Sequence, residues 1–217
     1  MKVLNLYACL GGNRLLWEDC KVTAVELDPE LARMYQERFP NDTVIVADAH
    51  QYLLDHYKEF DFIWSSPPCP SHSRIRFNQA KGRNDDIYKA EYPNMMLYQE
   101  IILLDNYFNG NYVVENVIPY YEPLITAQKR GRHLYWTNFI LPNNLNERKS
   151  SIMEGKDEVN KWCEFHDYNF RQYKGTQSVQ KMARNLVDYE AGKTILETAL
   201  NIVRKSDLKQ TSIFDQI

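Results

Sequence analysis

The sequence lacks the features that mark several large classes of protein. Four of its 217 residues are cysteine and none forms a CxxC pair, so no zinc or disulfide framework is indicated, no metal is expected, and a reducing compartment is favoured. No apolar run approaches the length of a membrane span, and the first residues do not resemble a signal peptide. The net charge of −3 means that any nucleic-acid contact must come from a local basic face.

Apolar runs that are typical of strands alternate with helical patterns over the first 139 residues. The predicted strands are KVLNLYA, VTAVEL, TVIVAD, FDFIWSS, NYVVENV and GRHLYWTNF. Helices are predicted around Leu15 to Trp17, after the capping pair Asp28-Pro29, in HQYLLDHYKEF and over residues 92–108. This alternation predicts an α/β fold with a mostly parallel central sheet flanked by helices. In such a sheet, ligands bind beyond the carboxyl ends of the strands.

Three successive predicted strands end at residues that suit an adenosine-containing ligand. Gly11-Gly12 follows the first strand, but the turn lacks the GxGxxG fingerprint of dinucleotide sites, and a plain turn would explain the glycine pair alone. Glu26 ends the second strand, where a carboxylate can accept hydrogen bonds from ribose hydroxyls. Asp48 ends the third and could accept from an adenine amine. An adenosine without a pyrophosphate is expected, and S-adenosylmethionine fits that description.

Cys69 lies between prolines where the fourth predicted strand ends. Flanking prolines stiffen the loop, and a thiol facing the crevice is a strong nucleophile even when little of it is ionised. Arg74 and Arg76 could raise the thiolate fraction, and His72 could act as a base or be a solvated loop residue. The alternative is a buried structural cysteine.

Glu115 ends the fifth predicted strand in the stretch VVENV. If neighbouring central strands carry Glu115 and Cys69, the two side chains face each other across the crevice. A nucleophile opposite a carboxylate suits attack on a ring whose nearby nitrogen must be protonated. A helix cap or a turn is the alternative reading of this acid.

Taken together, these stretches resemble the DNA cytosine-5 methyltransferases. The matching segments, in the order of the family, are YACLGGNR, VELDP, VADA, SSPPCPSHS, VVENV and QKRGR. The spaced pair PPC and ENV is specific, QKRGR matches the family's QxRxR pattern, and ARNLV at 183–187 is similar to a weak form of the last family motif. The resemblance implies a Rossmann-like class I S-adenosylmethionine-dependent methyltransferase that methylates carbon-5 of cytosine in double-stranded DNA.

The resemblance also implies roles for individual residues. Cys69 would attack carbon-6 of a flipped cytosine, and Glu115 would bind ring nitrogen 3 and the exocyclic amine. Arg132 would bind the carbonyl oxygen, with Arg130 supporting the pocket. The implied cofactor contacts are Tyr7, Gly11, Gly12, Glu26, Leu27, Asp48, Pro67 and Asn185. The loop 73–84 would bind DNA phosphates, unless it is merely solvated; its implied contacts are Ser73, Arg74, Arg76, Lys81 and Arg83.

The sequence departs from the family pattern at Cys9, where glycine is usual, at Pro70, where glutamine is common, and in the length of its target region. We expect a catalytic and cofactor domain at 1–139, a reduced target-recognition region at 140–182 and a helix at 183–205 that returns to the catalytic domain. Because the family normally reads the major groove with a larger segment, a short recognition site, relaxed specificity or help from a partner is expected.

A flexible tail at 206–217 is predicted to carry a partner motif. Gln210, Ser212, Ile213 and Phe214 resemble the peptide that docks into bacterial sliding clamps, although a frayed terminus is the alternative. The compactness suggests a phage or mobile-element enzyme, and a role in restriction–modification is expected. We expect a monomer without membrane attachment, in the cytoplasm of a bacterium or of a phage-infected host.

Other functions stay open at this point. The same chemistry could act on RNA or on a free cytosine nucleotide, or the chain could be a non-catalytic DNA-associated protein that binds S-adenosylmethionine. A cysteine hydrolase is disfavoured, since beyond His72 there is no credible Cys–His pair and Glu26 and Asp48 would have no role.

Overall fold

One mixed sheet organises the protein. The computed structural model describes residues 1–81, 91–148, 155 and 157–202, and seven strands of this part join in the order β3-β2-β1-β4-β5-β7-β6. Strands β1 to β5 are parallel to one another, whereas β7 is antiparallel to both β5 and β6. The strands are β1 Lys2–Leu6, β2 Lys21–Glu26, β3 Thr43–Val46, β4 Phe62–Ser65, β5 Asn111–Val117, β6 Gln128–Arg130 and β7 His133–Thr137. The predicted Rossmann-like α/β fold is confirmed.

Helices cover both faces of the sheet. They are α1 Pro29–Arg38, α2 Ala49–His56, α3 Arg74–Lys81, α4 Met96–Tyr107, α5 Glu158–His166, α6 Val179–Arg184 and α7 Tyr189–Ala199. Successive strand residues point to opposite faces, so Leu4 packs in a core with Leu104 of α4, while Val3 packs in another with Ile195 of α7. None of the helices in the described ranges is long and apolar enough to cross a bilayer.

The chain reverses its direction of winding between β1 and β4. From β1 the sheet continues to β2 and β3 on one side, and from β4 it continues to β5 on the other. A crevice forms at such a point because the loops that leave the two adjacent strand ends diverge to opposite faces. The loops that begin at Tyr7 and Ser66 therefore border the expected ligand site.

Two local predictions were wrong, and one was confirmed. Residues around Leu15 to Trp17 form turns instead of a helix, because Arg14 binds Asp42 and the Trp17 indole donates to the carbonyl of Gly192. The loop predicted from residue 73 contains helix α3. By contrast, α1 begins as predicted, with Asp28 accepting from backbone N–H groups at the cap and proline at its first position.

The region from 157 to 186 packs beside α1. Leu10 and Met34 share a buried cluster with Trp162, Phe170 and Met182. This region includes α5 and α6, which were not predicted. The segment predicted as one helix at 183–205 contains the end of α6 and all of α7, and residues 203–205 lie outside the described part. The region is therefore continuous with the core that supports the loop after β1.

Candidate active site

The loop after β1 is anchored by the carboxylate at the end of β2. Cys9 donates its backbone N–H to Glu26 Oε2 at 2.8 Å, and Asp28 donates to Oε1 at 3.0 Å. Burial raises the pKa of Glu26, while these backbone donors lower it. Two N–H donors leave further lone pairs on a carboxylate. Glu26 can therefore hold the loop and still accept hydrogen bonds from a ligand.

The glycines of this loop are required by packing. Gly11 has φ +64°, and an added Cβ would lie 2.7 Å from the Tyr35 ring; at Gly12 a Cβ would lie 2.3 Å from the carbonyl oxygen of Val187. Both positions exclude a larger residue because the loop is pressed against α1 on one side and against residues 186–187 on the other. Their contact with a cofactor stays a prediction.

The remaining predicted cofactor residues differ in exposure. Leu27 is 67% exposed next to Glu26, and Asp48 is an exposed N-cap whose Oδ1 accepts from the N–H of Gln51 at 2.8 Å. Pro67 is buried, and Asn185 is exposed at the end of α6. Leu27 and Glu26 lie at the carboxyl end of β2, and Asp48 follows the neighbouring strand β3; an exposed apolar side chain and two acids in this region fit an adenosyl group. The residues present are thus compatible with S-adenosylmethionine.

The loop that follows β4 and carries Cys69, called the cysteine loop below, is bonded to a residue near the end of β5. Asn116 is 2% exposed and donates from Nδ2 to the carbonyl oxygen of Pro67 at 2.9 Å. The carbonyl of Cys69 accepts from the N–H groups of His72 and Ser73 at 3.0 and 3.1 Å. We gave Asn116 no role from the sequence, although it directly follows Glu115. Its amide links the two strand ends that carry the candidate nucleophile and acid.

Cys69 and Glu115 interact electrostatically. Burial, followed by the charge of Glu115, raises the pKa of the Cys69 thiol, and the charges of Lys181 and Arg76 lower it. Glu115 is 8% exposed, and its Oε1 lies 3.5 Å from His133 Nε2. The expectation that nearby arginines would enrich the thiolate is corrected in its net direction, because burial and the acid outweigh the cations.

His72 is neither solvated nor directed at the thiol by any hydrogen bond in the described residues. The residue is 1% exposed, its Nδ1 lies 2.5 Å from the Tyr121 hydroxyl, and burial lowers its pKa. Its neutral ring packs the cysteine loop against the segment after β5. The solvated alternative is therefore wrong.

Within the QxRxR stretch, Gln128 and Arg130 are held by hydrogen bonds, whereas Arg132 is exposed. The Gln128 side chain bonds Thr137 Oγ1 at 2.7 Å, and Arg130 donates to the carbonyl oxygens of Pro142 and Leu141 at 2.6 and 2.5 Å. Arg132 is exposed in the two-residue turn between β6 and β7. Since His133 pairs with Val117, this turn lies at the carboxyl end of β5, on the rim of the crevice.

The basic segment after Cys69 is docked against the loop that follows β5. Ser73 forms a bridge with Pro119, Arg74 Nε donates to the Pro119 carbonyl at 2.6 Å, and Phe77 stacks on Tyr120 with centroids 3.9 Å apart. Both Arg74 and Arg76 are exposed. The Lys81 side chain, Arg83 and the tail residues Gln210, Ser212, Ile213 and Phe214 lie outside the described residues.

Several solved structures are similar to this chain in whole or in part. A methyltransferase from Entamoeba histolytica, EhMeth, matches with a TM-score of 0.55 and 12% identity over 94% of this chain and 99% of that one, which shows a shared fold. Spodoptera frugiperda DNMT2 matches with a TM-score of 0.36 and 25% identity over 54% and 35% of the two chains. A TehB-like SAM-dependent methyltransferase from Corynebacterium glutamicum matches with a TM-score of 0.34 and 18% identity over 54% of each chain.

Sequence comparison identifies the family directly. None of the curated protein sequences compared with this chain matches it significantly. The family described as C-5 cytosine-specific DNA methylase, however, matches residues 1–118, a range that contains the loop after β1, Glu26, Cys69 and Glu115. The chain therefore belongs to the C-5 cytosine-specific DNA methylases.

Proposed function

We propose that the chain is an enzyme that transfers a methyl group from S-adenosylmethionine to carbon-5 of cytosine in double-stranded DNA. The observation that carries the proposal is that Cys69, in the loop after β4, and Glu115, near the carboxyl end of the adjacent parallel strand β5, are close enough for the carboxylate charge to act on the thiol. Family membership supports the same reaction.

The cofactor would occupy the crevice beside the loop after β1. Glu26 would accept from the ribose hydroxyls, Asp48 from the adenine amine, and Leu27 would pack against the base. When bound, S-adenosylmethionine supplies the electrophilic methyl group. The chain contributes a preformed loop, since the N–H of Cys9 is already bonded to Glu26.

Cys69 and Glu115 would activate the pyrimidine together, Cys69 as the nucleophile and Glu115 as the acid. The Cys69 thiolate adds to carbon-6 of a cytosine turned out of the duplex, and the displaced electron pair reaches the ring as nitrogen 3 takes a proton from the acid form of Glu115. Carbon-5 then has the enamine character needed for methylation. Carbon-5 would bond to the methyl group as its bond to the donor sulfur breaks, which leaves the donor as a neutral thioether. A water molecule would take the carbon-5 proton, so that the electrons of that bond reform the double bond between carbon-5 and carbon-6 and expel the thiolate, and the proton on nitrogen 3 would return to Glu115.

Binding of DNA would use the exposed cations around Cys69. Extruding a base costs a few kcal/mol, which contacts in the pocket and to the phosphates must offset. Arg74 and Arg76 on α3 are exposed on this side, and Lys181 is near enough to lower the pKa of the thiol. Replacing Arg74 and Arg76 by glutamine should weaken DNA binding and flatten its salt dependence; an unchanged salt slope would contradict these contacts.

Methylation in cells tests the proposed function most directly. Host DNA should be bisulfite-sequenced after expression of the wild-type chain and of Cys69→Ser as the matched control. Methylcytosine at a short repeated site is expected only with the wild type. Transfer of labelled methyl groups to RNA or to dCMP, but not to duplex DNA, would instead favour the alternative substrates. Binding of S-adenosylmethionine without transfer to any of the three would favour a non-catalytic protein.

A clamp partner is a separate proposal that rests on the tail sequence. An extended peptide with Ile213 and Phe214 could place its apolar side chains in a groove of a sliding clamp. The full chain should retain a bacterial clamp in a pull-down, and a chain that lacks residues 210–217 should not. Failure of the full chain to retain the clamp would end this proposal.

A further inference from the structure

A buried carboxylate on α4, that of Glu100, interacts with side chains from three segments that border the crevice. Glu100 is 0% exposed. Its Oε1 accepts from the Tyr7 hydroxyl at 2.6 Å and lies 3.0 Å from His50 Nδ1, and its Oε2 accepts from the Ser65 hydroxyl at 2.5 Å. The acid thus interacts with side chains from the loop after β1, from α2 and from the end of β4.

Packing alone does not account for an acid at this position. The neighbouring buried residues of α4 are apolar, among them Leu97, Ile101 and Leu104, and a leucine would fill the same place without the cost of burying a charge. A buried carboxylate is tolerated only when donors compensate it. Here the compensating donors all lie on segments that lead into the candidate active site.

Each partner is close in sequence to a residue of the proposed reaction. Tyr7 precedes Cys9, whose N–H binds Glu26. Ser65 is the last residue of β4 before the loop that carries Cys69.

His50 lies in the first turn of α2, which Asp48 caps. Glu100 is therefore shared by the cofactor loop, the cysteine loop and the helix beside the predicted adenine acid.

The pKa shifts of Tyr7 and His50 are consistent with both side chains donating hydrogen bonds to Glu100. Burial, followed by the charge of Glu100, raises the pKa of Tyr7, so its hydroxyl stays a donor. The bond to Glu100 raises the pKa of His50, which favours a protonated Nδ1. Tyr7 also has φ +56°, a conformation that is uncommon for residues other than glycine and must be held by its surroundings. The hydroxyl bond to Glu100 provides such a restraint.

We propose that Glu100 is a positioning residue that holds the cofactor loop, through Tyr7, and the cysteine loop, through Ser65, in one relative arrangement. The inference rests on the proposed function and deepens it. A shared anchor would make methyl-donor binding and thiol placement interdependent although the two loops leave different strands. Under this proposal, the function of the Tyr7 hydroxyl is to hold the loop after β1 in place through its bond to Glu100.

The test separates binding from the rate of transfer. Tyr7→Phe should weaken S-adenosylmethionine binding about tenfold and Ser65→Ala should slow single-turnover methylation about tenfold with unchanged affinity, each because one hydrogen bond to a charged group is lost. Glu100→Gln should do both. In the Glu100→Gln background, adding Tyr7→Phe should change affinity less than about twofold, because the shared bond is already weakened.

A matched pair on the same helix provides the control. Asp105 accepts from the buried Tyr112 hydroxyl at 3.0 Å, so Asp105→Asn removes the charge from the same kind of bond. In the described part of the chain, no hydrogen bond joins Asp105 to the loop after β1 or to the loop that carries Cys69. Asp105→Asn should alter thermal stability without changing affinity or rate. If Glu100→Gln does not fold, the separate effects of Tyr7→Phe and Ser65→Ala test the proposal.

Two failures can be told apart. Wild-type affinity and rate in Glu100→Gln, with lowered thermal stability only, would overturn the positioning role and leave the proposed function intact. Absence of S-adenosylmethionine binding by the wild-type chain would overturn the proposed function and this inference with it.

Discussion

The two walls of the crevice are prepared in different ways. In the cofactor wall, formed by the loop 7–12 with Glu26 and Asp48, both acids already accept hydrogen bonds from backbone N–H groups. In the target wall, formed by Cys69, Glu115 and Arg132, the thiol has a raised pKa and the arginine is exposed. The acids of the first wall are therefore already held by the backbone, whereas the groups of the second wall would, under the proposed function, react with an incoming ring.

The largest expected effect comes from two substitutions, one in each wall, that should affect methyl transfer and cofactor affinity separately. Cys69→Ser should lower methyl transfer by about 10³-fold or more, because the nucleophile is lost, and should leave the affinity for S-adenosylmethionine unchanged. Glu26→Gln should weaken that affinity about 10- to 100-fold, because a charged acceptor is lost. Calorimetry and single-turnover assays measure the two quantities. Loss of cofactor affinity in Cys69→Ser would show that the walls are not independent.

An intermediate effect is expected for Glu115→Gln in the target wall, which should slow one reaction and speed another. Glu115→Gln should slow methylation about 10²- to 10⁴-fold, because the acid is lost. The same change should speed alkylation of Cys69 by iodoacetamide about two- to tenfold, because the carboxylate no longer raises the thiol pKa.

The pH dependence follows from the same shift. The thiolate is the reactive form, so alkylation should increase with pH towards the raised pKa, and the profile of Glu115→Gln should move to lower pH. Lys181→Gln is the control of opposite sign, since removing its charge should move the profile to higher pH. Identical profiles for wild type and Glu115→Gln would mean that the acid does not act on Cys69.

The smallest expected effect distinguishes the two arginines of QKRGR. Arg130→Gln should lower the free energy of unfolding by about 1–3 kcal/mol, because the carbonyls of Leu141 and Pro142 lose their donors. Arg132→Gln should change it by less than about 0.5 kcal/mol, as is usual for an exposed residue, and should instead reduce methylation. Urea unfolding and activity assays give both values. The reverse pattern would exclude Arg132 from the target wall.

Local patterns were enough to locate the candidate site along the chain. Buried parallel strands are continuous apolar runs, so polar residues that close such runs mark the strand ends approximately. Glu26 does end β2, whereas β3 ends two residues before Asp48 and β5 continues two residues past Glu115, so those two predicted ends were wrong by two residues. The capping pair Asp28-Pro29 was equally readable, because a cap is a contact between residues two or three apart. These features depend only on neighbours in sequence.

Contacts between distant residues decided what the patterns did not contain. Trp17 lies in a turn, and its indole binds Gly192. Asn116 gains its role from a partner 49 residues away, and Glu100 gains its role from partners 35, 50 and 93 residues away. The net direction of the Cys69 pKa shift likewise depends on burial, which sequence alone does not reveal. The sequence by itself determined the fold class, the family and the approximate positions of the strands. Only the tertiary structure decided which side chains share hydrogen bonds and charges, because those energies depend on distances in space.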